Sequence, residues 1–515
     1  MKHSKTSSAV SAKVNNILAR VLIALTFIFL LIPNVALSIM SHMSLLEAGA
    51  NILLPAGLLM FMLTWRNRPG TNVLLLIPFM ALAAFQIVLL FLYADGSIIG
   101  VDMFLNVATT NPSEAGELLN NLGPAIAIVI ALYLPLMVLA GITMFRKVRT
   151  SDRTLSRCRT GAMILTVSGG IVLASCMFEE PYYCIDEDLY PVNVIANLST
   201  AVNRSYAGRN YDSTSSDATY HARSTRPDNL REVYVAVVGE TSRADNWQLF
   251  GYDRYTTPRL CSLPSGTIAG FGRTFSESNT THKAVPLLLS NLTADNFDSK
   301  INESKSVITA FKEAGFKTAY VSMQCRNHSY IDFFAQEADT TIFMREPQPG
   351  EIVNGLYDMD MLSQLDSLLS NGDTKLLVVL HQYGSHFNYL DRYPRQEAYF
   401  IPDKTSDATV ANRGQLINAY DNSIRHTDNL LYEVITRLDS INCVGGMIYA
   451  SDHGEDIYDD ARGRFLHASP TPTYFQLHVP MLVYMTPALR HRDPAMFNRT
   501  LLNQQAMVSS SQTYT

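Results

Sequence analysis

The chain has little cysteine and little net charge, and each shortage argues against a class of protein. Six cysteines among 515 residues are too few for a scaffold built on disulfides, although they do not exclude a few bridges. A net charge of −6 provides no general basic field, so we expect no nucleic-acid partner. The length itself allows two or three domains.

Lysine and arginine are absent from residues 41–47 and 94–124, two loops that separate apolar segments. Basic residues cluster instead before the first apolar segment, after the second, and between the fourth and the fifth. Because positive charge is retained on the cytoplasmic side of a membrane, we expect a cytoplasmic amino terminus and a periplasmic chain after about residue 179. Five segments are long and apolar enough to span a bilayer, roughly Val21–Met40, Ala48–Trp65, Val73–Tyr93, Ala125–Phe145 and Ala162–Phe178. The second and the fifth are short, and a buried or interfacial helix is the alternative for them.

This pattern predicts three parts. They are a transmembrane domain of five helices over residues 1–178 with an outer loop at 94–124, a polar linker over 179–231, and a soluble catalytic domain over 232–515. Four cysteines follow the last apolar segment, and the sequence does not choose among their three pairings; they are Cys184, Cys261, Cys325 and Cys443.

In the soluble part, apolar strand-like runs alternate with helical stretches. This alternation favours an α/β domain with a mainly parallel sheet and helices on both faces. The predicted strands are Tyr234–Val238, Thr318–Val321, Leu376–Leu380, Gly446–Ala450 and Val479–Tyr484, and the predicted helices include Val307–Ala314, Asp358–Ser370 and Gly414–Ser440.

Carboxylates and imidazoles follow the ends of these strands. Glu240 follows the first strand, Asp452 and His453 follow a second, and His386 and His467 lie in further loops. Since the carboxyl ends of parallel strands share one edge of a sheet, these groups could supply the oxygen and nitrogen ligands of Zn²⁺ or Mn²⁺. Taken singly, each has a plainer explanation, such as a solvated glutamate, a hydrogen-bonded turn or a core histidine.

A polar turn over residues 276–281 leads into a helix-like apolar run. Hydroxyl groups of Thr280 and Thr281 at the start of such a helix would meet its free N–H groups, which form a natural phosphate site. A metal-bound threonine could attack phosphorus and form a covalent phosphothreonine in a two-step reaction. The alternative is that one of these threonines is only an N-cap.

The outer loop repeats polar residues at a spacing of four, with Asn106, Thr110 and Glu114. A helix would place them on one face, as a polar patch at the membrane surface that grips a lipid head group. Pro112 interrupts a regular helix through all three, so a solvated loop is the alternative.

Together these motifs resemble the phosphoethanolamine transferases of Gram-negative bacteria, which include lipid A-modifying and colistin-resistance enzymes. The resemblance implies a five-helix membrane domain followed by a soluble domain of the alkaline phosphatase/sulfatase type. It is carried by the loop Thr110–Ala115 and by the motifs Gly239–Arg243, Gly251–Pro258, Gly384–His386 and Ser451–Glu455.

The resemblance also implies roles for individual residues. It makes Thr281 the nucleophile and implies one or two zinc ions, with Mn²⁺ as the alternative metal. The implied metal ligands are Glu240, Thr281, Asp452 and His453; the implied second-metal or phosphate-binding catalytic residues are His386 and His467; and the implied substrate contacts are Asn106, Thr110, Glu114 and Gln324.

The implied reaction moves phosphoethanolamine from phosphatidylethanolamine to lipid A or another envelope glycan. A monomer in the bacterial inner membrane, with its catalytic domain in the periplasm and a part in polymyxin resistance, is the corresponding expectation. The rivals are a glycerol-phosphate transferase or polymer synthase of lipoteichoic-acid type, and a non-catalytic sulfatase-like membrane receptor.

Three features depart from the family pattern. Ser278 and Leu287 stand where the lipid A enzymes have a cysteine pair, so the disulfide expected around the nucleophile is absent. His282 and Lys283 replace small residues after Thr281. The chain ends at Thr515, where relatives usually continue with another helix and strand.

Overall fold

The structure is a computed structural model that describes residues 2–93, 96–109, 116, 122–180, 183–227, 229–405 and 407–511. The chain forms two compact units. A helical unit comprises Met1–Phe104 and Leu122–Val202, and a sheet unit comprises Leu105–Asn121 and Asn203–Thr515. The predicted domain boundaries at residues 178 and 231 stay predictions.

Four helices of the helical unit are long and apolar enough to cross a membrane, with the shorter apolar helix Ile77–Leu92 beside them in the sequence. The third predicted span is broken: one helix ends at Leu74 and the next begins at Ile77. Pro78 explains the break, because it has no N–H to donate to the carbonyl of Leu74 and is tolerated in the first turn of a new helix. Helices in the described part of the first 208 residues include Lys2–Met40, Leu45–Leu63, Pro69–Leu74, Ile77–Tyr93, Val101–Thr109, Gly123–Phe145, Asp152–Glu179, Ile185–Asp188 and Val192–Gly208.

Small residues and amides hold these helices together. A Cβ on Gly169 would lie 2.4 Å from the Leu54 nitrogen, so the helices Leu45–Leu63 and Asp152–Glu179 approach backbone to backbone. Buried Asn34 and Asn51 exchange hydrogen bonds: each side-chain amide donates to the other's carbonyl oxygen, at 2.7 and 3.0 Å. These two amides are thus satisfied inside the apolar helix bundle.

The sheet unit contains an eight-stranded sheet in the order β10-β2-β9-β6-β1-β5-β3-β4. Strands β6, β1, β5, β3 and β4 run parallel, and β9 is antiparallel to β6 and β2. The mainly parallel α/β prediction is confirmed. The strands are β1 Glu232–Gly239, β2 Ile268–Phe275, β3 Lys317–Ser322, β4 Thr340–Phe343, β5 Lys375–His381, β6 Val444–Ser451, β9 His478–Met485 and β10 Val508–Ser509, with β7 Asp456–Ile457 and β8 Phe465–Leu466 as a separate pair.

Each face of the sheet carries an apolar layer. Val233, Val235 and Val237 of β1 pack with the helix Arg413–Ser440 on one face, and Val238 packs with the helix Thr281–Leu288 on the other. The remaining helices are Tyr211–Thr214, Pro258–Cys261, Phe297–Lys300, Val307–Glu313, Tyr330–Gln336, Met361–Ser370, Tyr474–Leu477, Pro487–Arg492 and Pro494–Asn503.

In the described part of the chain Cys184, Cys261 and Cys443 form no disulfide, so none of the pairings left open by the sequence forms. In register, Gly239 lies opposite Ser451, and Val238 lies opposite His381. The carboxyl ends of β1, β5 and β6 therefore meet at one edge of the sheet.

Candidate metal centre

Backbone hydrogen bonds lock three loops together at this edge. The Ser385 nitrogen donates to the Glu240 carbonyl at 2.9 Å, and the Asp452 nitrogen donates to the Gly239 carbonyl at 3.0 Å. Gly384 has a φ of +53°. A Cβ there would lie 2.5 Å from the Glu240 carbonyl oxygen, so only glycine fits both the conformation and the space.

Three potential ligands come together in these loops. One donor atom from each of Glu240, Asp452 and His453 lies within 4.8 Å of the others, and all three residues are buried. The His453 Nε2 atom is 3.5 Å from Glu240 Oε1 and 3.3 Å from Asp452 Oδ2.

The protonation of this cluster fits a divalent cation. His453 Nδ1 lies 2.9 Å from the Gly454 carbonyl, which can only accept a hydrogen, so Nε2 keeps its lone pair. Burial lowers the pKa of His453 to about 4, which keeps the ring neutral. Asp452 Oδ2 is buried and makes no hydrogen bond to any described residue. Two buried carboxylates and an unprotonated imidazole nitrogen are a suitable ligand set for zinc.

Thr281 is the first residue of the helix Thr281–Leu288 and points into the cluster. Its hydroxyl donates to Glu240 Oε1 at 3.3 Å and lies 3.1 Å from His453 Nε2. The N-cap position belongs to Thr280, whose backbone is extended and whose hydroxyl lies 3.0 Å from Ser278 Oγ. Thr280 thus occupies the N-cap position, although its side chain makes no capping hydrogen bond, and Thr281 is the threonine at the cluster.

Hydrogen bonds hold the segment that precedes Thr281. The Ser276 hydroxyl lies within hydrogen-bond distance of the carbonyl oxygens of Ser278 and Asp452. The Asn279 amide donates to the Ser469 carbonyl at 2.8 Å and to Gln476 Oε1 at 2.6 Å. Leu287 stands at the second of the two positions where the family pattern has a cysteine, the first being Ser278. It is fully buried in the apolar layer, and burial of such a side chain contributes about 2 kcal/mol to the stability of the fold.

Thr241 is a site residue that the sequence analysis did not single out. Its hydroxyl donates to Glu240 Oε1 at 2.6 Å, and its φ of +57° is rare for a β-branched residue. The only sequence signal was its place in the motif Gly239–Arg243. Gln324, which was singled out, donates to Glu240 Oε2 at 3.2 Å and to the Gln382 carbonyl at 3.0 Å.

The two further histidines lie next to the three-residue cluster. The His467 ring centroid is 4.2 Å from that of His453 and 5.8 Å from that of His386. Burial lowers the pKa of His467 to about 4; burial, together with the neighbouring His467 and Arg392, lowers that of His386 well below its usual value. His386 Nδ1 donates to the Phe387 carbonyl at 2.7 Å, so its Nε2 also keeps a lone pair. Their roles stay predictions.

Of the three outer-loop residues, Asn106 lies within the described part of the chain, whereas Thr110 and Glu114 lie outside the described residues. Asn106 belongs to the helix Val101–Thr109, and its Oδ1 atom is 2.8 Å from Nδ1 of His282.

Residues 232–512 match the sequence profile of the family described as Sulfatase. The chain belongs to the sulfatase family. Its relatives include the Kdo(2)-lipid A phosphoethanolamine 7''-transferase of Escherichia coli strain K12, 28% identical over 363 residues that make up 68% of this chain and 60% of the relative. For the protein of the same name from Salmonella typhimurium, the matched part is 44% of the relative's length.

Two solved structures share the fold. The integral membrane lipooligosaccharide phosphoethanolamine transferase A from Neisseria meningitidis matches with a TM-score of 0.74 at 21% identity, covering 96% of this chain and 94% of that one. The C-terminal periplasmic domain of EcEptC from Escherichia coli, in complex with Zn, matches with a TM-score of 0.50 at 23% identity, covering 56% and 81%. The resemblance stated from the motifs is thereby confirmed.

Proposed function

We propose that this sulfatase-family protein is a zinc-dependent phosphoethanolamine transferase of the bacterial inner membrane. The observation that carries the proposal is the position of Thr281. Its hydroxyl lies within 3.3 Å of a buried carboxylate and of a bare imidazole nitrogen, at the edge where three strands end. The relatives named as phosphoethanolamine transferases, and the related domain described with Zn, support the choice of group and metal.

Glu240, Asp452 and His453, with the Thr281 oxygen, would hold the zinc. When bound, the ion would lower the pKa of the threonine hydroxyl and neutralise charge that develops on phosphate oxygens. Thr241 and Gln324 hold the two oxygens of Glu240 in place from opposite sides. The Asp452 oxygen without a hydrogen bond is the group that most requires such a cation.

The reaction has two steps. In the first, the Thr281 oxygen bonds to the phosphorus of phosphatidylethanolamine, the bond to the diacylglycerol oxygen breaks, and that oxygen takes up a proton. In the second, an acceptor oxygen attacks the phosphothreonine, and the Thr281 oxygen leaves. Because the Nε2 lone pair of His386 is not used by Phe387, this histidine is suited to accept the acceptor's proton or to bind a second metal ion, with His467 beside it.

The cellular setting follows from the charge pattern of the loops. Basic residues flank the apolar segments on one side only, which supports a cytoplasmic amino terminus and a periplasmic sheet unit. The donor is then a lipid of the outer leaflet, and the acceptor is lipid A or another envelope glycan. The protein acts as a monomer.

The proposal is tested with the purified protein in detergent, supplied with zinc, phosphatidylethanolamine and lipid A. We expect phosphoethanolamine on lipid A, a loss of at least about a thousandfold in Asp452→Asn, and near-normal transfer in the exposed control Asp460→Asn. Transfer of glycerol phosphate from phosphatidylglycerol would favour the polymer-synthase reaction instead. Binding of lipid without any transfer would identify a receptor.

A further inference from the structure

His282 has no role in the chemistry described so far, yet it follows Thr281 directly. It is the second residue of the helix Thr281–Leu288, and only 8% of its surface is exposed. Burying an imidazole costs free energy unless its nitrogens find partners, so its contacts indicate what it does.

One partner of His282 lies 176 residues away in the sequence, on the helix Val101–Thr109. Nδ1 of His282 is 2.8 Å from Oδ1 of Asn106, and both residues belong to the sheet unit. An amide oxygen only accepts, so Nδ1 carries the hydrogen and donates it. This bond fixes the Asn106 carboxamide with its oxygen turned toward His282.

Because His282 directly follows Thr281, its contact with Asn106 also limits how far Asn106 can lie from Thr281. Since residues 281 and 282 are neighbours, the bond holds Asn106 within one residue of the proposed nucleophile. The Asn106 carboxamide is therefore a candidate contact for one substituent of a phosphodiester whose phosphorus reaches the Thr281 oxygen. A polar, half-buried amide at that point is suited to contact a small zwitterionic head group rather than an acyl chain.

We propose that His282 is a positioning residue for the donor lipid: by holding Asn106 beside Thr281, it sets the place of the ethanolamine phosphate head group. The inference rests on the proposed function. It assigns His282 no bond to substrate and no proton transfer. Loss of the bond should therefore weaken binding of the donor and leave the chemical step intact.

The test measures KM and kcat for phosphatidylethanolamine in mixed micelles. We expect His282→Leu to raise KM about tenfold, with kcat within about twofold of wild type, because an oriented binding contact is lost. His282→Asn keeps an N–H donor at the place of Nδ1 and should restore most of the affinity. Lys283→Gln is the matched control. Lys283 is the next residue of the same helix, but its ammonium lies over the Phe297 ring, 5.4 Å from the centroid, so this exchange does not remove the bond between His282 and Asn106.

Asn106→Ala removes the same bond from the other side. It should raise KM to a similar degree, and the double variant should be little worse than either single one. An unchanged KM in His282→Leu, or fully additive effects of the two changes, would refute the role of His282 while leaving the proposed function intact. A wild-type protein that does not consume phosphatidylethanolamine would refute both.

Discussion

At the scale of single residues, the two oxygens of Glu240 have different neighbours. Oε1 accepts from Thr241 and Thr281, and Oε2 accepts from Gln324. This arrangement orients Oε1 toward Thr281, the proposed nucleophile. Partners that orient a ligand in this way commonly change metal affinity by about ten- to a hundredfold.

Replacing Gln324 should therefore weaken metal binding without touching a ligand. We expect Gln324→Leu to lower zinc affinity about tenfold in a calorimetric titration, because Glu240 Oε2 loses its donor. The exposed Gln336→Leu, at the end of the helix Tyr330–Gln336, is the control and should bind zinc normally. Equal affinity in both variants would show that Gln324 does not orient the site.

A second feature at this scale is His478, a histidine outside the candidate metal centre. His478 donates from Nδ1 to Asp245 at 2.7 Å and from Nε2 to the Gly272 carbonyl at 2.8 Å, so both nitrogens carry hydrogens. Burial opposes the charge on the ring, but the bond to Asp245 outweighs burial and raises the pKa of His478 above its ordinary 6.5.

The sign of the pH effect follows from this raised pKa. The pair stabilises the fold fully below pH 6.5, and the contribution is lost as pH rises through the folded-state pKa. Asp245→Asn should lower the thermal midpoint by about 2 °C near pH 5.5, and have little effect near pH 8.5, as monitored by circular dichroism. An equal decrease in the thermal midpoint at both pH values would mean that the charge on His478 does not contribute to stability. The exposed Asp253→Asn is the control.

At the scale of elements, the loop after β5 is held against the end of β1 by a glycine. Gly384 and Gly372 both have positive φ, +53° and +76°, but an added Cβ meets the Glu240 carbonyl only at Gly384 and finds open space at Gly372. The two positions therefore separate conformational strain from steric conflict.

Gly372→Ala should cost about 1 kcal/mol from strain alone. Gly384→Ala should cost at least about 2 kcal/mol more and should also displace Glu240, because the backbone oxygen cannot rotate away. Thermal unfolding and zinc titration of the two variants measure both effects. Equal midpoints and equal zinc affinity would contradict the close packing of the two loops.

The elements also show why some of the fold was predictable. Continuous apolar runs predicted β1, β3, β5, β6 and β9, because strands buried on both faces need them. The edge-side strand β2 was missed, since Gly270 and Gly272 depress its strand signal. Phe250 fills the space above both glycines and lies 3.0 and 2.8 Å from the positions where their Cβ atoms would be. This contact joins two separate segments of the chain, so the local sequence of β2 does not reveal it.

At the scale of the whole molecule, the predictable part of the site is the part that topology dictates. Glu240, Asp452 and His453 could be placed together because parallel strands end at a common edge. The contact between His282 and Asn106 could not be predicted, since no strand register or periodicity relates the two segments. Thr110 and Glu114 lie outside the described residues, so their role stays a prediction.

The central claim is that Thr281 carries the transferred group. The most direct measurement is peptide mass spectrometry of the protein after incubation with zinc and isotope-labelled phosphatidylethanolamine, without an acceptor. The account predicts labelled phosphoethanolamine on Thr281, its absence in Thr281→Ala, and its retention in Thr280→Ala. Label on another residue, or continued transfer to lipid A by Thr281→Ala, would contradict it.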